Sequence, residues 1–424
     1  MRMAREALFS PTRWIFFFLT ALATAYLFAF ILLPTTFSRQ LMAHFNVPKV
    51  TLSYAMTSYA YSLTLFLIPV SLLIDRYFQL WIFAAGLILT GLGALLFAHS
   101  SEIIHATLAR AFMGLGATVG LTYSIKALSA WVGQSRRACF LALFIALQIA
   151  LTLAIAWISH LLFQKNSWQK MLHFYGLCSF PLALLCLLFY RSTQNFPFQA
   201  PPLPSSEWWR AIRSLFDSSQ VWFIGFATGI FLGVFLTFIS KWGLPFFCLA
   251  YKLSFQQALC LVALVCLGFL AGAFFFSSMS TSLQKRKMFI PWGILISLLM
   301  LIIMIYPPYL PFQPMLLICF LCGFAGASGL LGYVVICEQN PFELTATAFA
   351  SIYTFFGFAI IFTDPLISVF LEFESITAAT PVATLRNFQI ALFRMPIYIA
   401  LSLLFSLFIR DTHAKQTNLG AVTR

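Results

Sequence analysis

The chain has 424 residues, of which 61% are hydrophobic and 8% charged, with a mean hydropathy of +0.93. Soluble domains carry roughly a quarter charged residues, so a water-soluble globular fold is excluded. The net charge of +14 does not point to nucleic acid, because the basic residues are scattered between apolar runs and form no single patch.

The opening stretch, MRMAREALFSPTRWIFFF, sets basic residues ahead of an apolar run with no small-residue cleavage pattern close behind. It reads as an uncleaved first span and not as a signal peptide. Apolar runs near 20 residues, the length that crosses about 30 Å of hydrocarbon, then recur along the chain. Cutting at polar and Pro/Gly-rich breaks predicts twelve spans, at 14–34, 52–74, 80–98, 103–126, 138–162, 171–190, 221–243, 255–278, 288–306, 314–337, 345–371 and 388–409. The expected fold is an all-α membrane protein of twelve transmembrane helices in two six-helix bundles, residues 1–190 and 221–424. The longest break, 191–220, separates them. Its first part is Pro-rich and cannot be helical. Its second part, SSEWWRAIRSLF, sets Trp208, Trp209, Ile212, Leu215 and Phe216 at helical spacing, with Arg210 and Arg213 elsewhere. That pattern suits a helix lying on the membrane surface, or a flexible linker with chance periodicity.

Orientation follows from Lys and Arg in the loops. With the N-terminus inside, sixteen of the 25 fall in cytoplasmic segments and seven opposite, Lys241 among the seven; Arg110 and Arg394 lie within spans. Both termini and the central loop are therefore expected in the cytoplasm. The six histidines (His44, His99, His105, His160, His173 and His413) show no metal-ligand spacing. The nine cysteines lie mostly within apolar runs, and the CxxC of Cys319 and Cys322 reads as a packed pair of small residues. No cofactor is expected.

The loops after spans 2 and 8, SLLIDRYFQLW (71–81) and SSMSTSLQKRK (277–287), complement one another when overlaid. Asp75 and Arg76 stand in the first, Arg286 and Lys287 in the second. Here the chain resembles the major facilitator superfamily of secondary transporters, whose loop signature is GxxxD(R/K)xGxR(R/K). Ser71 and Phe78 replace its glycines, and Leu80 and Trp81 its terminal basic pair. The second copy has Ser277, Thr281, Ser282 and Gln284 at the glycine and Asp-Arg positions. RAFMGLGA (110–117) is similar to the RxxxGxGxA of the family's fourth helix, and KALSAWVGQSRRA (126–138) to the segment that follows. NSWQKMLHFYG (166–176) resembles the approach to the sixth helix, with Gln169 where an arginine is common. EQNPFELTATAFASIYTFFG (338–357) resembles the connection from the tenth helix into the eleventh. The antiporter glycine-proline signature is missing from 138–162. The likeness covers essentially the whole chain.

Arg110 sits about seven residues, or roughly 10 Å, inside the fourth span. An arginine at a span's centre costs about 2.5–3.5 kcal/mol even on lenient scales. Gly114 and Ala117 follow on nearly the same face, while Gly116 and Gly120 form a GxxxG on another, where a partner helix can approach. Arg110 is expected either to face a wet cavity, binding an anionic group or tuning a nearby acid, or to hold helices together as a hydrogen-bonded buried cation. Asp364, followed by Pro365, lies at a depth similar to Arg394. The pair forms a salt bridge between neighbouring helices, or Asp364 carries a coupling proton. The resemblance implies that Asp75 meets the start of the eleventh helix when the cytoplasmic side is closed, as a gate. Arg76, Arg286 and Lys287 support that gate, contact lipid phosphates, or merely fix topology. It also implies a path lined by helices 1, 4, 7 and 10, flanked by 2, 5, 8 and 11. Polar and aromatic candidates there are Tyr26, Tyr59, Gln148, Thr228, Thr237 and Tyr353, each with helix packing as its alternative role.

The expectation is a secondary transporter moving a small organic solute by alternating access in a bacterial cytoplasmic membrane, coupled to protons in the uptake direction. An efflux or exchange carrier, and a non-transporting sensor of the same fold, are the alternatives. A membrane enzyme would need acid, base or metal residues clustered at one depth, and only isolated charges occur. The partners expected are the solute, protons and lipids, with the chain monomeric.

Overall fold

The computed structural model describes residues 11–32, 37–132, 134–163, 167–188, 205–306, 310–377 and 385–413, and their regular structure is entirely helical. Hydrocarbon offers backbone groups no water, so a crossing segment must satisfy its own N–H and C=O groups, and a helix does this within itself. The first seven helices are α1 (Pro11–Leu32), α2 (Ser38–Phe45), α3 (Lys49–Arg76), α4 (Leu80–Ala98), α5 (Ile103–Trp131), α6 (Gln134–Phe163) and α7 (Trp168–Leu188). A short amphipathic helix, α8 (Ser205–Asp217), precedes α9 (Ser219–Ala250) and α10 (Phe255–Ser282). The chain continues through α11 (Phe289–Ile305), α12 (Phe312–Gln339), α13 (Thr345–Thr377) and α14 (Leu385–Ser406).

Helices stand at all twelve expected positions. Among the described residues, eleven are long and apolar enough to cross a membrane, and α11 is a shorter apolar helix of 17 residues. At 1.5 Å per residue α11 reaches about 25 Å, the lower end of spanning lengths. Side chains such as Leu65, Trp81, Leu96, Trp292 and Phe362 point outward and exposed, as helix faces turned to hydrocarbon do. The opening basic residues and the Pro-rich stretch 191–204 lie outside the described residues.

Two helices differ from expectation for identifiable reasons. The seventh span does not stop at 243 but continues to Ala250. Gly243 and Pro245 are absorbed because the helix widens into π-turns at Gly225–Gly229, Phe238–Trp242 and Phe246–Ala250. A π-turn re-pairs backbone groups that proline would otherwise orphan. Lys241, counted with the outer side at the last turn of the expected span, therefore lies well inside this helix. The last helix is interrupted at Phe393, between Leu385–Leu392 and Arg394–Ser406. Pro396 has no N–H to give the Leu392 carbonyl, which accounts for the break. In α8 the buried stripe is Trp208, Ile212 and Leu215, whereas Trp209 is exposed beside Arg210 and Arg213.

The described chain forms two compact units, one from residues 1–214 with 340–350 and one from 215–339 with 351–419. In the first, α3 and α4 pack on α5, α4 also packs on α7, and α1 packs on α6. In the second, α10 and α11 pack on α12, and α14 packs on α11 and α9. The glycines of α5 set the spacing in the first unit. A Cβ on Gly114 would collide with the Tyr59 carbonyl of α3, and one on Gly116 with the Gly86 carbonyl of α4. At Gly120 the obstacle is only the end of the Leu27 side chain, which can turn away. Gly114→Ala and Gly116→Ala should each cost about 1–3 kcal/mol of stability, as overpacked cores do. Gly120→Ala should cost clearly less. Thermal unfolding of the detergent-purified protein reads the difference, and equal losses at all three positions would contradict this packing.

Candidate functional site

Asp75 ends α3 with its side chain buried, and three donors converge on its carboxylate. The backbone N–H of Ala346 donates to Oδ1 at 3.1 Å, and that of Thr347 to Oδ2 at 2.8 Å. The Thr347 hydroxyl adds a third bond at 2.7 Å. These N–H groups belong to the first turn of α13, where no intrahelical acceptor exists and the helix dipole favours an anion. Lys126, near the end of α5, completes the cluster with Nζ 2.7 Å from Asp75 Oδ1. It also donates to the carbonyls of Phe342 at 3.1 Å and Glu343 at 2.6 Å. The Phe342 ring receives both Lys126 and Arg137 at 5.1 Å. All these residues belong to the first unit, so the segment 340–350 is latched to α3 and α5. Lys126 is buried, although its place at the edge of the fourth span made it look like a loop residue. Arg76, next to Asp75, is exposed and lies over the Tyr77 ring.

In the second unit Asp364 is buried in α13 immediately before Pro365. Its Oδ2 accepts from Lys241 Nζ, and its Oδ1 accepts from Trp242 Nε1 at 3.2 Å. Both partners sit on the π-turn Phe238–Trp242 of α9. The expected partner, Arg394, does not occupy this place. Its guanidinium lies over the Phe370 ring at 3.8 Å, at the interrupted start of the second half of α14. An arginine at that break can stack on an aromatic face, which leaves the carboxylate to the lysine one helix away.

Arg286 is only 2% exposed and so does not reach lipid phosphates from this position. Its Nη2 donates to Glu338 Oε1 at 2.7 Å and its Nε to the same carboxylate at 3.2 Å. Nη1 donates to the hydroxyls of Ser280 at 2.8 Å and Thr281 at 3.0 Å. The backbone N–H of Arg286 reaches Asp411 Oδ1 at 3.0 Å, and Thr412 donates to Glu338, so the chain after α14 is tied to the same cluster. Lys287 is exposed.

Arg110 is 1% exposed. Its Nη1 donates to the Phe30 carbonyl, its Nη2 to the Met56 carbonyl at 2.8 Å, and its guanidinium lies over the Tyr59 ring at 5.1 Å. Phe30 is in the last turn of α1, whose final carbonyls have no donor within the helix. Arg110 thus sits at the negative end of the α1 dipole. Tyr59 donates to the Leu27 carbonyl at 2.9 Å and Tyr26 to that of Tyr175, so both tie helices together. Thr228 and Thr237 donate within their own helix, to Ile224 and Gly233. Tyr353 packs its ring against Phe356 at 4.4 Å and Tyr333 at 6.2 Å. Gln148 is buried at 4% exposure.

These helices, with ionised groups buried in pairs between them, are those of a polytopic membrane protein. The sequence profile of the Major Facilitator Superfamily matches residues 14–363, and the chain belongs to that family. Its fold is similar to the crystal structure of a bacterial homologue of the human lysosomal transporter Spinster, captured inward-facing and unoccupied. The two share 15% identity over 95% of this chain and 98% of that one, with a TM-score of 0.64. No curated protein matches the sequence.

Removing one member of a buried ion pair strands the other. Lys126→Met should therefore destabilise the protein by about 3–5 kcal/mol. The double variant Asp75→Asn/Lys126→Met should recover part of that loss, since no charge is left behind. Denaturation of the four proteins of this cycle provides the measurement, and strict additivity would rule out the coupling.

Proposed function

We propose that the protein imports a small organic solute by alternating access, driven by protons, with its termini in the cytoplasm. Asp364 carries the coupling proton. The observation that supports this reading is the environment of that carboxylate: buried in a span, one residue before a proline, with its charge balanced by a single lysine. In the pair, Lys241 is the more accessible partner, with 17% of its side chain exposed against 3% for Asp364. A solute or solvent group therefore reaches the ammonium first. If Lys241 is drawn away, Asp364 keeps only the Trp242 N–H, and a lone buried carboxylate avoids its desolvation penalty by taking up a proton. Return of the lysine expels that proton. The π-turn bearing Lys241 and Trp242 is a backbone form often found at functional sites in helices, and supports such a partner exchange.

The latch around Asp75 supplies the second element of the cycle. Lys126 and Asp75 fasten the first turn of α13, and α13 continues to the helix position of Asp364. We assign Arg110 an anchoring role, holding α1 and α3 to α5, in place of solute contact. The substrate panel for the test is drawn from small organic acids, amines and neutral solutes.

In liposomes under an imposed pH gradient, the native protein should accumulate a member of that panel. Asp364→Asn should abolish accumulation while leaving solute counterflow intact, because exchange needs no net proton movement. Undiminished pH-driven accumulation by the variant would exclude Asp364 as the carrier. Accumulation only against the opposite gradient would make the protein an exporter.

A further inference from the structure

At the end of the first unit remote from Asp75 stands a pair of imidazoles that no step above uses. His99 caps the C-terminus of α4, and His173 lies in the second turn of α7. Their Nε2 atoms are 3.3 Å apart, although the residues are 74 positions apart in sequence. The other nitrogen of each ring is held by a backbone carbonyl. His99 Nδ1 contacts the Leu95 carbonyl at 2.9 Å, and His173 Nδ1 contacts that of Gln169 at 2.8 Å. A carbonyl oxygen only accepts, so the ring proton sits on Nδ1 in both. The two Nε2 atoms then turn lone pairs toward each other, which is repulsive unless a cation lies between them.

We propose that His99 and His173 form a two-histidine zinc site on this face of the protein. Two Zn–N bonds of about 2.0–2.1 Å at a tetrahedral angle place the nitrogens about 3.3 Å apart. A square-planar cis pair, the copper(II) preference, would close the separation to about 2.8–2.9 Å. A proton shared between the two Nε2 atoms is the competing occupant, and the zinc titration below separates the two. The ring planes are 74° apart with centroids at 4.6 Å, so the lone pairs cross at an angle and do not meet head-on. A carbonyl on the far nitrogen is the usual outer partner of a zinc-bound histidine, fixing its tautomer and aim.

The helices that carry the pair are held at close range. A Cβ on Gly91 of α4 would come within 2.8 Å of the Gly176 carbonyl of α7, so the two backbones are nearly in contact one to two turns from the histidines. The site is thereby preorganised. His99 is exposed and His173 half-buried, which gives an ion access from the aqueous side. Among the described residues no group of three or more His, Cys, Asp or Glu forms a metal cluster, so water completes the coordination and the ion exchanges readily. Bound there, zinc would staple the end of α4 to the start of α7 without entering the ion pairs of the transport machinery.

The test is zinc titration of the full-length, tag-free protein in detergent, by calorimetry and by the zinc-dependent rise in melting temperature. The native chain should bind one zinc ion and gain thermal stability. His99→Gln and His173→Gln should each weaken binding at least tenfold and lose the thermal shift. His99 is an exposed cap, so its variant decides the matter alone if His173→Gln does not fold. Absence of zinc binding by the native protein, or binding unchanged in His99→Gln, would overturn the proposal.

Discussion

An ionised side chain inside a bilayer has to bring its own solvent, and this chain has few groups from which to build it: 11 acidic residues against 25 basic ones. The solution recurs in each half of the molecule. Asp75 is solvated by two amides, a hydroxyl and Lys126; Asp364 by Lys241 and Trp242; Arg286 by Glu338 and two hydroxyls. Arg110 obtains two carbonyls and a ring face. Breaking a buried pair leaves an uncompensated charge at a cost of about 3–5 kcal/mol, so each cluster fixes the helices that carry its members.

The clusters collect where helices are imperfect, and the reason is shared. In a regular helix each backbone group already has a partner, although a carbonyl can accept a second bond, as that of Met56 within α3 does from Arg110. Ends and interruptions leave amides and carbonyls without one. Asp75 uses the first turn of α13, and Arg110 uses the carbonyl of Phe30 at the end of α1. Lys241 and Trp242 lie where α9 widens ahead of Pro245.

Much of the architecture was legible because hydrocarbon imposes length and composition on every crossing helix. Asp75 was legible as well: the motif resemblance brought it to the start of ELTATAF, and its carboxylate meets Ala346 and Thr347 of that segment. Its counter-ion was not. Lys126 stood at a predicted helix edge, where a lysine ordinarily snorkels into water. Asp364 was singled out by charge and by Pro365, yet its partner was misassigned, because Gly243 and Pro245 read as a helix end, which put Lys241 in the last turn of the seventh span and counted it with the outer side. The uninterrupted apolar run GLPFFCLA beyond it was the available signal. Equal depth suggested Arg394 instead, but depth along two helices does not fix which faces meet. His99 and His173 were invisible for a similar reason, since metal-ligand spacing in sequence detects only ligands on one local element.

The departures from the family's loop signature can be followed in the contacts that the replacing residues make. Ser71 stands at the first glycine, and its hydroxyl donates to the Ile68 carbonyl at 2.8 Å and reaches Thr347 Oγ1 at 3.5 Å. A side chain that glycine lacks thus touches the same threonine that Asp75 holds. Phe78 stands at the second glycine and stacks on Tyr123 at 5.0 Å, one turn before Lys126 on α5. Loss of the terminal basic pair at Leu80 and Trp81 removes charge from the start of α4, while Lys126 supplies a cation directly to Asp75 from α5. The motif has changed its residues, and the contact between the end of α3 and the first turn of α13 is maintained by the replacements. An apolar cluster of similar volume is often as stable as a buried ion pair or more so, so stability alone does not account for a carboxylate, a lysine and two hydroxyl groups buried together at that point.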